Sequence, residues 1–127
     1  MEATEPDQVI HHFCTMFNSG DLDGLLNNLY EDEAVFVPTP ADAPTSGKAA
    51  VAEALKHFLA TEGTLSILAT TTIRSGEIAL THTRWRLDIP EADAMESVTA
   101  EIVRRQTDGT WRYAIDNPWG GSVLDAK

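Results

Sequence analysis

The chain has 127 residues and a net charge of −11, from twenty acidic and nine basic side chains. That length fits a single domain over residues 1–127, and the 43% of apolar residues are enough to fill one core, which excludes a disordered acidic tail. Nucleic acid is disfavoured as a partner, because neutralising phosphates needs clustered lysine and arginine, and the longest basic run is Arg104-Arg105.

The first part of the chain is predicted to be helical. Pro6 is typical of a first helical turn, and apolar residues then recur every three or four positions over the next three turns. Gly20 is expected to end this helix, and Asp21 to cap a short second one. A short strand over 34–37 follows, then a proline-rich loop that cannot continue a β-ladder, and then a third helix that is expected to be capped by Ser46 and to end at about Thr61.

The second part of the chain is predicted to form strands. Four long strands are expected, over residues 64–75, 78–89, 97–107 and 111–116. Gly76 lies in a tight turn between the first two, and Asp108-Gly109 is a strong hairpin signal between the last two. Because tight turns join antiparallel strands, the chain is predicted to be an α+β domain with helices packed on one face of a curved antiparallel sheet.

The strand over 78–89 has an irregular apolar pattern. Its apolar residues have even numbers up to Leu80 and odd numbers from Trp85 onward. Because side chains alternate between the two faces of a sheet, this change of phase predicts a β-bulge near His82 and Thr83, where it would re-aim the side chains. The alternative is a strand that is buried on both faces.

The order of the elements resembles the SnoaL-like and ketosteroid-isomerase-like families of the nuclear transport factor 2-like superfamily. Three segments carry the resemblance, namely SGDLDGLLNNLYEDEAVFVP, a loop that ends in SGK and a closing DG-x-W-R hairpin. The closing segment is most similar to a branch of small uncharacterised proteins. The resemblance implies a cone-shaped α+β fold, in which about three N-terminal helices pack on a strongly curved, mostly antiparallel sheet around a pocket. It also implies a homodimer formed through the outer face of the sheet.

The catalytic residues of ketosteroid isomerases are only partly matched. In those enzymes an aspartate before a strand-ending proline moves the proton, while a tyrosine on the first helix and a protonated acid on a long strand hold the oxyanion. Here the base position falls on Val37 and the tyrosine position on Phe13, and neither side chain can take that role. Glu101, the one carboxylate within its predicted strand, matches the strand acid best. The steroid isomerase mechanism is therefore disfavoured.

Limonene-epoxide-hydrolase-like relatives offer a second comparison, because they activate water with an Asp-Arg-Asp group. Parts of such a group could come from Asp88, Arg84 or Arg86, Glu101 and Asp116. Arginines on long strands are more often solvated or at a dimer face, so hydrolysis stays an alternative.

Three residues are the candidates for acid–base catalysis, namely His82, Glu101 and Asp116. His82 would serve as a base or polar anchor if it faced the inside of the cone, and the alternative is a histidine on the outer face of the sheet. Eight residues are the candidates for lining a pocket or its mouth: Phe13, Phe17, Tyr30, Phe36, Phe58, Trp85, Asn117 and Trp119. Trp119, at the end of the last strand, either covers the pocket or packs in a dimer contact.

These features predict an apolar pocket that binds a small neutral organic molecule, with proton transfer as the most economical chemistry if the protein is an enzyme. The alternative is a non-catalytic dimeric binding or assembly module. Carboxylates gathered in predicted loops and helix ends would form an acidic rim that disfavours anionic ligands.

No cofactor is expected. The four histidines lack the H-x-x-x-H and H-E-x-x-H spacings of metal sites, the single Cys14 cannot build a structural zinc site, and no phosphate-binding glycine loop is present. The acidic N-terminus and the absence of a long apolar run predict a cytoplasmic protein that does not contact a membrane.

Overall fold

The computed structural model describes residues 2–125, which form three α-helices, seven β-strands and one short 3-10 helix. The helices are α1 (Gln8–Asn18), α2 (Leu22–Leu29) and α3 (Lys48–Ala60), and the 3-10 helix is Gly120–Leu124. The strands are β1 (Tyr30–Phe36), β2 (Thr45–Ser46), β3 (Thr64–Ser75), β4 (Ile78–Asp88), β5 (Met95–Val98), β6 (Ala100–Arg105) and β7 (Trp111–Asn117). No helix in this range combines the length and apolarity needed to cross a membrane, and the longest has 13 residues.

The helix ends follow the local chemistry of the sequence. Gly20 adopts a left-handed φ of 73° just after α1, and the Asp21 carboxylate accepts a hydrogen bond of 2.9 Å from the Gly24 N–H at the start of α2. Both predictions are confirmed. The residue before the third helix is Gly47 and not Ser46, so the predicted cap is wrong by one position, because Ser46 pairs with Val35 in the short strand β2.

The strands form one sheet in the order β2-β1-β7-β6-β4-β3, with β5 alongside β4. All pairings are antiparallel except that of β1 with β7, which is parallel. The helices pack on one face of this sheet, where the apolar core lies between the two layers. The fold is therefore the cone-shaped, mostly antiparallel α+β architecture that the resemblance implies.

Within residues 2–125 the register of the sheet shifts at three places, one of which is in β1 between Tyr30 and Val35, and none is in β4. One extra residue, Leu68, lies in β3 opposite the step from Trp85 to Arg84, and a second, Ala114, lies in β7. The bulge predicted near His82 and Thr83 is wrong, because β4 alternates without interruption and its odd-numbered residues are the buried ones.

The strand predicted over 97–107 is two strands, β5 and β6. Its ladder with β4 is interrupted at Thr99, whose side-chain oxygen accepts a hydrogen bond of 2.9 Å from the Thr83 N–H. The first strand also begins earlier than predicted, at Tyr30, so that the acidic residues of YEDE lie in β1 and not in a loop.

Candidate functional site

A row of polar residues crosses the concave face of the sheet. Thr81 on β4 is the direct register partner of Glu101 on β6, Glu101 of Asp116 on β7, and Asp116 of Phe36 on β1. The three polar side chains are at most 4% exposed. Burying carboxyl groups is costly unless they are protonated or hydrogen-bonded, and buried carboxyl groups in a cleft are typical of functional sites. The row is therefore the candidate functional site.

The bulge at Ala114 brings Tyr113 to the same face. In a regular strand Tyr113 and Asp116 would point to opposite faces, because they are three residues apart. The extra residue changes the phase of β7, and both side chains are buried while Ile115 faces outward. Tyr113 therefore lies on the same face of the sheet as the carboxyl groups of Glu101 and Asp116.

A cavity of about 60 Å³ lies between this row and the helices. Its walls are apolar, and the polar groups on them are confined to Thr99, Glu101, Tyr113 and Asp116. A single water needs roughly 10–15 Å³, so the cavity has room for several waters or part of a small organic molecule. The apolar wall is formed by Ile10, Phe13, Phe17, Phe36, Leu55, Phe58, Leu65, Ile67, Trp85, Leu87 and Pro118.

Glu101 is held as a neutral acid. Its Oε1 accepts hydrogen bonds from the hydroxyls of Thr81 at 3.1 Å and Thr99 at 3.0 Å. Burial, followed by the neighbouring charge of Asp116, raises the pKa of Glu101 well above its usual value, and the threonine hydroxyls lower it only in part. Glu101 therefore keeps its proton when Asp116 loses its own.

Asp116 is the acid that ionises first. Burial raises its pKa from 3.8 to about 6, while hydrogen bonds from Tyr30 and Glu101 limit the rise. The Tyr30 hydroxyl donates to Asp116 Oδ2 at 2.5 Å. With Glu101 as a second donor, the carboxylate of Asp116 is stabilised although it is removed from water. The pair therefore loses its protons in two separate steps, and Glu101 keeps its proton after Asp116 has ionised.

The hydroxyl of Tyr113 is a buried donor that no other residue within 2–125 satisfies. Burial, then the charges of Glu101 and Asp116, raise the pKa of the Tyr113 phenol well above its usual value, so it stays neutral. Because buried polar groups are almost always hydrogen-bonded, this hydroxyl is available to a water or ligand in the cavity.

The residues expected from the sequence fall into three groups. Glu101 and Asp116 are brought together, and five of the aromatic residues line the cavity: Phe13, Phe17, Phe36, Phe58 and Trp85. Tyr30 lies behind the cavity wall, where it contacts Asp116 and packs on Tyr113 with ring centres 4.9 Å apart.

The other three residues lie elsewhere. His82 is on the outer face of the sheet, because it alternates with the buried Thr81 and Thr83. It is therefore on the wrong face to act as a base in the cavity. The Asn117 side chain bonds to the backbone of the turn at 119–120. Trp119 packs against Phe58 and Trp85 on the side away from the cavity and lines a surface groove.

An Asp-Arg-Asp group does not form around Glu101 and Asp116. Arg84 is exposed on the outer face, and Arg86 bonds there to Asp88 and to Glu96, at 2.9 and 2.8 Å. The epoxide-hydrolase alternative therefore has no arginine at the buried pair.

Sequence reasoning missed Tyr113, Thr81 and Thr99. Tyr113 was missed because the bulge at Ala114, which puts its side chain on the inner face, leaves no pattern in the sequence. Threonines at 81 and 83, alternating with the outward-facing Leu80 and His82, were the available signal for a polar inner face.

The comparisons with known proteins agree with this fold. The family model described as the SnoaL-like domain matches residues 10–114 of the chain. Among curated proteins, none matches the chain.

Several solved structures are similar. A nuclear transport factor 2-like protein of unknown function from Pseudomonas putida is 20% identical with a TM-score of 0.74, over 87% of this chain and 80% of its own. The Kfla4162 protein of Kribbella flavida is 11% identical with a TM-score of 0.74, over 92% of this chain and 88% of its own. A protein with a cystatin-like fold from Novosphingobium aromaticivorans is 18% identical with a TM-score of 0.65, over 87% and 75%. Likeness at such identities shows the fold alone.

Proposed function

The chain belongs to the SnoaL-like domain family, and from the chemistry of its cavity we propose that it binds a small uncharged organic molecule and acts on it by proton transfer. The observation that carries this proposal is the buried pair of Glu101 and Asp116, which lie in direct register at the polar end of an apolar cavity. Burial raises the pKa of both carboxyl groups. A base whose pKa lies near 6 is poised for work at neutral pH, and a neutral acid beside it supplies the complementary proton.

The proposed reaction is an enolisation. The Asp116 carboxylate takes a hydrogen from the carbon next to a carbonyl group, while Glu101 gives its proton to the carbonyl oxygen. The substrate becomes an enol, Asp116 becomes a neutral acid and Glu101 a carboxylate. Return of the two protons to the original atoms, or to another carbon, restores the pair and completes an exchange or an isomerisation. Tyr113 donates a hydrogen bond to the same oxygen.

The charge of the site supports an uncharged ligand. Asp116 already places one negative charge in a cavity with apolar walls, and the chain as a whole carries −11. A second anion would have to be desolvated beside that charge, which is costly in an apolar surrounding.

The test is hydrogen exchange at carbon, measured by proton NMR in D₂O with cyclohexanone and 1-indanone as probes. The wild type is expected to accelerate loss of the α-hydrogen signal, and Asp116→Asn to lower that rate by at least about 100-fold. Asp93→Asn, an exposed aspartate in the loop before β5, is the matched control and keeps the wild-type rate. Equal rates for Asp116→Asn and the wild type would contradict the proposal.

A dimeric binding module is the second candidate, and the outer face of the sheet favours it. Five apolar residues in direct register cross that face from β3 to β1: Ile73, Leu80, Ile102, Ile115 and Val35. We call them the outer row. Ile73 is 65% exposed and Ile115 42% exposed. A straight apolar row is complementary to its own copy about a two-fold axis, which supports a homodimer through this face.

A further inference from the structure

Two buried threonines bond to the carboxyl group of Glu101, namely Thr81 on β4 and Thr99 between β5 and β6. Thr81, the register partner of Glu101 on β4, and Thr99, two residues before it, both contact Oε1, at 3.1 and 3.0 Å. Thr81 is 4% exposed and Thr99 3%, so no bulk water competes for these bonds. The two contacts converge on one oxygen of the carboxyl group, which makes its two oxygens inequivalent.

The direction of the Thr99 bond is fixed by the backbone. Thr99 Oγ1 accepts from the Thr83 N–H at 2.9 Å, and an N–H group can only donate. The Thr99 hydroxyl hydrogen is therefore directed to its other neighbour, Glu101 Oε1. Thr83 does not compete, because its own hydroxyl pairs with that of Thr70 at 3.1 Å.

The two hydroxyl neighbours then determine whether Oε1 carries the acid hydrogen of Glu101. A carboxyl oxygen carries at most one hydrogen and could donate to only one of its two hydroxyl neighbours. An Oε1 without a hydrogen accepts from both, and every hydroxyl group then has an acceptor. The proton of the neutral Glu101 is therefore on Oε2, the oxygen that the two threonine hydroxyls leave free.

We propose that Thr81 and Thr99 are positioning residues that hold the Glu101 proton on Oε2, so that Glu101 acts as the acid of the pair and Asp116 as its base. The assignment of acid and base rests on the proposed function, but the placement of the proton does not. Both hydroxyls bond to Glu101 Oε1, so the threonines act on the ligand through Glu101.

The test uses isosteric variants and the infrared band of the Glu101 acid carbonyl, which is identified by its loss in Glu101→Gln. Oε1 is the carbonyl oxygen of this acid, so removing a hydroxyl donor strengthens the C=O bond. Thr81→Val and Thr99→Val are each expected to move the band to higher wavenumber, and the double variant to move it further. Thr99→Ser, which keeps the hydroxyl, returns the band to the wild-type position.

Thr83→Val is the matched control. It removes an equally buried hydroxyl from the same strand, but one that bonds to Thr70 and not to Glu101. Its band is expected at the wild-type position, so a shift caused by general loosening of the core would appear in this variant too. An unmoved band in both Thr81→Val and Thr99→Val, or an equal shift in Thr83→Val, overturns the proposal.

The exchange assay separates this inference from the proposed function. Each valine variant is expected to lower the rate of α-hydrogen exchange by about three- to tenfold, the equivalent of one buried hydrogen bond. Shifted infrared bands without exchange in the wild type contradict the proposed function and leave the proton placement intact. Exchange in the wild type with unmoved bands contradicts the role of the threonines alone.

Discussion

Glu101 and Asp116 lie directly opposite each other on β6 and β7, and their buried carboxyl groups line one cavity. Two negative charges side by side in an apolar cavity repel each other, so one of the pair keeps its proton. Tyr30 donates to Asp116, while the two threonines donate to Glu101. This asymmetry gives Asp116 the charge and Glu101 the proton.

Folding stability is expected to fall as the pH rises through the pKa of Asp116. The folded-state pKa of about 6 lies above the ordinary 3.8, so the folded state binds this proton more tightly than the unfolded state. The stabilisation is therefore fully present below about pH 3.8 and is lost as the pH rises through about 6, a change of about 3 kcal/mol. Glu101 acts in the same direction, and the phenols of Tyr30 and Tyr113 stay neutral.

Urea unfolding between pH 4 and pH 8 checks this dependence. Asp116→Asn, which imitates the protonated acid, is expected to flatten the curve between pH 4 and 6, whereas Asp93→Asn keeps the wild-type slope. If the free energy of unfolding of the wild type rose with pH over this interval, the pKa of Asp116 would not be raised in the folded state.

Tyr30→Phe is expected to destabilise the protein mainly when Asp116 is charged. The substitution removes the donor at 2.5 Å from Asp116 Oδ2 and leaves a buried carboxylate short of one hydrogen bond. We expect a loss of about 2 kcal/mol at pH 7 and an upward shift in the pKa of Asp116 beyond 6. The measurement is the free energy of unfolding at pH 4 and at pH 7. An equal decrease at both pH values would show that Tyr30 stabilises the protein by packing alone.

Tyr113→Phe should have the opposite effect on stability. Its ring packs against Tyr30, but its hydroxyl has no partner within residues 2–125, so removing that hydroxyl relieves an unsatisfied buried group. Stability is expected to rise by roughly 1 kcal/mol, while α-hydrogen exchange slows because a donor to the ligand oxygen is lost. Thermal unfolding of Tyr113→Phe and Tyr30→Phe side by side decides the matter, and destabilisation by both would contradict it.

Ile115→Glu is expected to weaken the proposed homodimer. Ile115 is in the outer row, and a two-fold axis would place the new charge twice in one apolar contact, raising the dissociation constant by at least about tenfold. Sedimentation velocity over a range of concentrations measures this. Leu124→Glu, which changes an exposed leucine in the 3-10 helix, is the control with wild-type association. A wild type that sediments as a monomer removes the dimer proposal.

The sequence was enough to predict the fold because local signals agreed with the tertiary structure. The bounds of β3 were predicted without error, and Gly20 and Asp21 set the boundary between α1 and α2. The break at Thr99 could not be predicted, because it depends on a hydrogen bond between a side chain and the backbone of another strand.

The site was harder to predict because its geometry depends on phase and register. The apolar pattern of β4 does not show which face is buried, because Leu80 is in the outer row whereas Ala79 and Thr81 face the core. The sequence therefore left the face of His82 open. The pairing of Glu101 with Asp116 follows from the register of β6 on β7, which no local pattern of residues encodes.

Carbon-13 NMR titration of protein labelled at the Asp and Glu side-chain carboxyls shows directly whether Glu101 keeps its proton after Asp116 has ionised. Asp116→Asn and Glu101→Gln identify the two signals. We predict one carboxyl carbon that titrates near pH 6 and disappears in Asp116→Asn, and a second that is still protonated when the first has ionised and disappears in Glu101→Gln. If both carbons titrated near pH 4, as separate exposed carboxylates do, then Glu101 would not keep its proton when Asp116 ionises.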